Sequence, residues 1–134
     1  MKRILWAALG AAFVAVGCAD PVAPTTPTPA APTIRETFTD TLLVLGSNTH
    51  SFSVDAVGGV RVTLSSVEPG AAVGIGIGTP SLGSCSVIDH VDAVAGKAVL
   101  LSGTATIPGQ YCVVIYDLGN LVEPAVYTID VLHS

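Results

Sequence analysis

The sequence predicts an all-β fold, a small antiparallel β-sandwich of about eight strands. Three observations carry this reading. Apolar and polar residues alternate with period two in segment after segment, the pattern of a strand with one buried face. Turn residues fall between the alternating segments. No window past the first residues keeps the 3.6-residue apolar period of an amphipathic helix.

The elements follow in order. The first strand, 38–45, ends at Gly46-Ser47-Asn48. In the second, 50–56, Phe52 and Val54 alternate with Ser51, Ser53 and Asp55, and Gly58-Gly59 follows. In the third, 60–67, Val60, Val62 and Leu64 alternate with Arg61, Thr63 and Ser65 before Glu68-Pro69-Gly70. The fourth, 72–78, sets Val73, Ile75 and Ile77 against Gly74, Gly76 and Gly78. The fifth and sixth, 84–89 and 97–105, precede Pro108-Gly109. The seventh, 110–117, stops at Gly119-Asn120, and in the eighth, 125–132, Tyr127, Ile129 and Val131 share one face. Many short strands at near-regular spacing suit a sandwich.

Ahead of this domain stand two segments of another kind. Lys2 and Arg3 form a basic head, and Ile4 to Val16 is an uncharged apolar run. That run is too short for a comfortable membrane span, which needs roughly 20 residues, and reads as a secretory signal over residues 1–17. Ala15-Val16-Gly17-Cys18 resembles the lipobox of bacterial lipoproteins, with Ala15 where Leu is usual. The resemblance implies that Cys18 is acylated and becomes the new N-terminus; ordinary secretion is the alternative. Ala19 rather than Asp follows the cysteine, which by likeness to enterobacterial sorting points to the outer membrane rather than the inner. From Ala19 to Thr33 the chain reads ADPVAPTTPTPAAPT. Proline lacks the amide donor and fixes its own dihedral, so this stretch builds neither helix nor sheet. In polyproline geometry its residues reach roughly 45 Å, a spacer between bilayer and domain. The expected organisation is therefore a signal at 1–17, a lipidated cysteine and tether at 18–34, and one domain at 35–134.

Charge excludes two partner classes. The chain carries 5 Lys+Arg against 10 Asp+Glu. Loss of Lys2 and Arg3 with the signal leaves three basic residues and a net charge near −7. Such a chain offers no footprint for nucleic acid and no polybasic patch for anionic lipid. The membrane is reached through acyl chains on Cys18, and two or more of them hold firmly.

Within the domain, Phe52-x-Val54 after a polar turn, Gly109-x-Tyr111-x-Val113-x-Ile115 and Tyr127-x-Ile129-x-Val131 resemble strands of the bacterial pre-peptidase C-terminal domain, over roughly Phe38 to Leu132. The resemblance implies a jelly-roll-like sandwich that is noncatalytic and is often appended to exported proteins. Some members bind calcium through an acidic pair before the central strand. Here that place reads EPGAAVGIGIG, so no calcium ligand carries over.

Four segments or residue sets are candidate sites. GIGIGTP lacks both the spacing and the following helix of a dinucleotide loop. Its bare glycine face admits a close-packed loop or a flat ligand. Asp89, His90 and Asp92 in DHVD are expected on a solvated turn. Asp89 and Asp92 are weak metal candidates, too few for the six to eight oxygens of calcium. A nucleophilic triad needs a histidine beside Ser or Cys. His50 begins a strand and is expected to be exposed, and no G-x-S-x-G elbow occurs. Sugar-stacking aromatics are scarce: Trp6 lies in the leader, Tyr111 and Tyr127 follow inward positions, and Tyr116 alone is expected to be exposed. Two functions remain. One is a noncatalytic, lipid-anchored envelope module for structure, adhesion or protein interaction. The other is a carbohydrate- or calcium-binding accessory module. No cofactor is expected, and the protein or glycan partner is unnamed by the sequence.

A cysteine stands in the middle of the strand-like run GQYCVVIYDLGN. With Tyr111, Val113 and Ile115 on the inward face, Cys112 points outward. A lone outward thiol in an oxidising compartment is a liability, and Cys85 is the partner left once Cys18 is acylated. A Cys85–Cys112 bond is expected; two separate free thiols, one of them in a mixed disulfide with another protein, are the alternative.

Overall fold

The computed structural model describes residues 22–26, 28–29, 31–97 and 100–134. The leader, Cys18 and parts of the proline-rich segment lie outside the described residues. Eight strands are present: β1 (Ile34–Leu42), β2 (Ser47–Val54), β3 (Gly58–Glu68), β4 (Val73–Ser81), β5 (Ser84–Ala93), β6 (Leu101–Ala105), β7 (Gly109–Asp117) and β8 (Ala125–His133). They form two four-stranded antiparallel sheets, β1-β8-β3-β6 and β2-β7-β4-β5. That interleaving is the jelly-roll order, as expected.

Burial follows the period-two pattern. Val62, Leu64, Ile129 and Val131 project from one sheet and Val73, Ile75, Val113 and Ile115 from the other, all fully buried. Each such side chain stabilises the fold by roughly 1.5–3 kcal/mol over leaving it in water.

The strands run alternately up and down the sandwich. One end gathers Ile34, the β2–β3 and β6–β7 loops and the β4–β5 hairpin. The proline-rich segment enters here: Thr33 donates its N–H to His133 O at 2.9 Å, and Pro32 lies against Gly59. The other end gathers the β1–β2, β3–β4, β5–β6 and β7–β8 loops. These four connections point away from the entry of the chain.

Several strand boundaries differ from expectation, and the changes at β1, β5 and β6 matter most. β1 begins at Ile34 and stops at Leu42, so Leu43, Val44 and Leu45 form a turn instead of finishing a strand. β5 runs on to Ala93, so DHVD is strand and not turn. β6 begins at Leu101, which makes it the shortest strand.

The glycine face of β4 packs against neighbouring strands and not against a loop. Side chains and backbone of adjacent strands cover it. A Cβ on Gly74 would run into the ring of Tyr116, and one on Gly76 would press on Val87 and Val114. Tyr116 is thus half-buried on the sheet, not exposed. At Gly78 a Cβ would collide with the carbonyl oxygen of Ser86. The sheet breaks register there, with Ile88 as the extra residue of β5. The absent side chain lets the start of β5 fold over β4 toward β7. Cys85 and Cys112 consequently meet across an intervening strand, with Cα atoms 5.8 Å apart, and form a disulfide. Cys112 does face outward from the core, yet it is buried beneath this fold-over.

Candidate functional site

The turn at the end of β1 is the first feature that burial does not explain. Gly46 N–H donates to Leu43 O at 2.9 Å and closes the turn. Leu45 sits inside it with φ +56°, in the left-handed region that a side chain disfavours. Its side chain is 80% exposed. A leucine held in a disfavoured conformation and pointed at solvent is an outlier, one that Leu82 in the β4–β5 hairpin repeats with φ +48°; what sets Leu45 apart is the side chain that holds its turn.

Asp117, at the end of β7, holds the turn in place. One carboxylate oxygen accepts the Leu45 N–H at 2.8 Å. The other accepts the N–H groups of Gly119 and Asn120 at 2.9 Å and of Leu121 at 3.1 Å. The Asp117 N–H in turn donates to Gly46 O at 3.0 Å. The Leu45 bond is the largest cause that holds the Asp117 carboxyl below the ordinary range; burial opposes it, and the donors of residues 119–121 each lower it further. One carboxylate therefore fixes two loops side by side. Between them they expose Leu43, Leu45, Leu118 and Val122, the last at 94%. Asn120 adds a brace by donating to Ala72 O at 3.0 Å.

Below these loops lies a polar cluster inside the sandwich edge. Tyr127 is fully buried. Its hydroxyl accepts a hydrogen bond from Asn48 Nδ2 at 3.0 Å and lies 2.7 Å from His50 Nε2. His50 also stacks on Phe38 with ring centroids 4.7 Å apart. His50 is thus half-buried and inward, not exposed as expected. Burial lowers its pKa, partly opposed by the charge of Asp40. A neutral imidazole accepts the tyrosine proton at Nε2 and keeps its own at Nδ1. His133, at the other end of the same edge, is buried and donates from Nε2 to Glu36 Oε1 at 2.9 Å. Both histidines share the parity of buried neighbours, Phe52 and Val131, and that parity was the available signal. Neither has a serine hydroxyl or a cysteine thiol within its hydrogen bonds; the contact of His133 Nδ1 with Ser134 is to the backbone oxygen, at 3.4 Å.

No family model matches the chain. No curated protein matches it in sequence. The chain is similar in structure to PliG from Aeromonas hydrophila, described as a periplasmic lysozyme inhibitor of g-type lysozyme. The TM-score is 0.55 at 12% identity, and the match covers 73% of this chain and 84% of that one. At that identity the likeness is one of fold. No family model supports the resemblance to the pre-peptidase C-terminal domain, and what stands of that expectation is the β-sandwich fold.

The other sequence candidates are not brought together. Asp89 and Asp92 stand on opposite faces of β5, opposite Ile77 and Gly74 respectively. Among the described residues no three His, Cys, Asp or Glu side chains group closely enough to hold a metal ion. Sequence reasoning missed the Asp117 clamp. Its four donors are backbone groups of two loops, which leave no residue-type signature.

Proposed function

We propose that this protein is a noncatalytic, lipid-anchored extracytoplasmic module that binds a protein partner through the paired loops at Leu45 and Val122. The observation that carries the reading is the Asp117 clamp, which holds a strained, exposed leucine beside a second apolar loop. Supporting features come from three sides. The loops lie opposite the end where Ile34 enters, so a chain anchored at Cys18 would present them away from the bilayer. The Cys85–Cys112 bond suits an oxidising compartment such as the cell envelope. The fold is shared with a protein described as an inhibitor of another protein.

That description makes a g-type lysozyme the first partner to test. Titrating the mature chain into a g-type lysozyme assay should lower its activity at near-stoichiometric amounts. Undiminished activity would exclude this partner. The anchor has its own test: a Cys18→Ser variant should leave the membrane fraction, and continued membrane attachment would overturn acylation at Cys18. The outer membrane is the expected destination, from Ala19 after the cysteine.

A further inference from the structure

At the opposite edge of the sandwich from His50, the two sheets part between β5 and β6 and leave a cavity of about 150 Å³. Its walls are apolar: Val60, Ile77, Leu101, Ala105 and Tyr111. Gly103 is the reason it exists. Gly103 pairs with Val60, whose side chain is in the core, and lies between the inward-facing Leu101 and Ala105. An inward side chain belongs at this place.

Nothing local explains the glycine. Its φ is not in the left-handed region, and a Cβ added there would meet no atom within 4 Å. Glycine inside a strand weakens it, so the position carries a cost with no backbone or packing gain. An open space for a ligand group supplies the missing reason.

Size decides the class of that group. Small-molecule and cofactor sites run to about 300–1,000 Å³. A cavity near 150 Å³ takes one benzene-sized group. That is a single large side chain. The backbone beside it decides how the side chain arrives. β6 is the edge of its sheet, with β3 on one side and no strand on the other among the described residues. Ser102, Gly103 and Thr104 line the mouth, and Ser102 and Thr104 are exposed. Strand addition to such an edge supplies main-chain hydrogen bonds, while a pocket reads alternate side chains. Across the mouth, Asp89 is exposed on β5.

We propose that the sandwich binds an extended polypeptide segment by strand addition along β6, with one large apolar side chain seated in the cavity at Gly103 and a cationic group beside Asp89. This site is separate from the Leu45 loops and does not depend on them or on the anchor.

The test is selection of phage-displayed linear dodecapeptides on the mature full-length chain, followed by affinity measurement with the selected peptides. Selected peptides should share one large apolar residue with Lys or Arg at an alternate position. Gly103→Leu should weaken their binding about tenfold or more while leaving Tm unchanged or higher. Asp89→Asn should weaken it by a smaller, salt-sensitive factor. Amide exchange at Ser102–Thr104 should slow in the complex. Should Gly103→Leu fail to fold, Gly103→Ala carries the same comparison with a smaller loss. Equal binding by the Gly103 variants, unchanged exchange at β6, or failure to select any peptide would overturn the proposal. So would benzene entering the cavity when no peptide is selected, or a wild-type dimer that Gly103→Leu converts to monomer. The first would assign the cavity to a free apolar molecule and the second to another copy of this chain.

Discussion

The carboxylate of Asp117 accepts the backbone N–H of Leu45 at 2.8 Å across 72 residues of chain, and by this bond the end of β7 holds the turn that follows β1. The same carboxylate closes its own loop through residues 119–121. The two loops are thus tied to one side chain, and the consequences are measurable.

Leu45→Gly should stabilise the protein while impairing its interaction. Glycine adopts a φ of +56° without the side-chain clash that leucine bears there. Relief of that strain is worth about 1 kcal/mol. The 80% exposed side chain takes little stability with it when it is removed. Denaturant unfolding should show the gain, and a loss of stability would show that Leu45 is packed and not presented.

Asp117→Asn should destabilise the loops at neutral pH, with an effect that fades in acid. The folded carboxyl titrates below the ordinary value of 3.8. On acidification the unfolded chain therefore takes the proton first. The contribution of the carboxylate is complete above the ordinary value and lost as pH falls through the lowered folded value. The Tm gap between wild type and variant should be constant from pH 7 to 5 and close below pH 3.8. Comparing the two proteins cancels Asp130, whose carboxyl is also held low, by hydrogen bonds from Ser65 and Thr37.

His50 should add a pH dependence at milder acidity. Its pKa is lowered from 6.5, chiefly by burial between Phe38 and Tyr127. Stability from the neutral imidazole is complete above 6.5 and declines as pH drops toward the lowered value. Thermal melts at pH 7.5 and 5.5 should differ more for wild type than for His50→Gln. Equal differences would show that the Tyr127 hydrogen bond does not require a neutral ring.

The disulfide should contribute strongly. Cys85 and Cys112 close a loop of 27 residues, worth roughly 3–4 kcal/mol in the chain-entropy account. Cys112→Ser should lower Tm by on the order of 10 °C or more for a domain of this size. The loss should register first as faster amide exchange in β5, since the bond straps that edge strand over β4.

Much of this architecture is legible in the sequence, because period-two alternation reports directly which residues face a core. The strands β2, β3, β4, β7 and β8 lie where apolar residues alternate with small or polar ones, whereas β1, β5 and β6 are placed chiefly by the turns that flank them. Failures arise where the apolar character of a residue and its burial part company. Leu42 to Leu45 reads as the end of a buried strand, yet three of its four residues are an exposed turn. His50 reads as exposed because it begins the expected strand, although its parity with Phe52 and Val54 places it inward. The pairing of Cys85 with Cys112 follows from elimination, but its route across β4 does not, because it depends on the Gly78 crossing. The Asp117 clamp and the Gly103 cavity are three-dimensional coincidences of backbone and register.

The central claim, that the Asp117-clamped loops are the binding surface, is tested most directly by site-specific photo-crosslinking in the native cell. A photoreactive amino acid is placed in turn at position 45, at position 122, and at Thr39, an exposed residue on the outer face of β1. Positions 45 and 122 should give one discrete adduct with the same protein. That adduct should weaken when Asp117→Asn loosens the clamp, and position 39 should give none. Adducts of equal yield at all three positions, or none at 45 and 122 while position 39 reacts, would contradict the account.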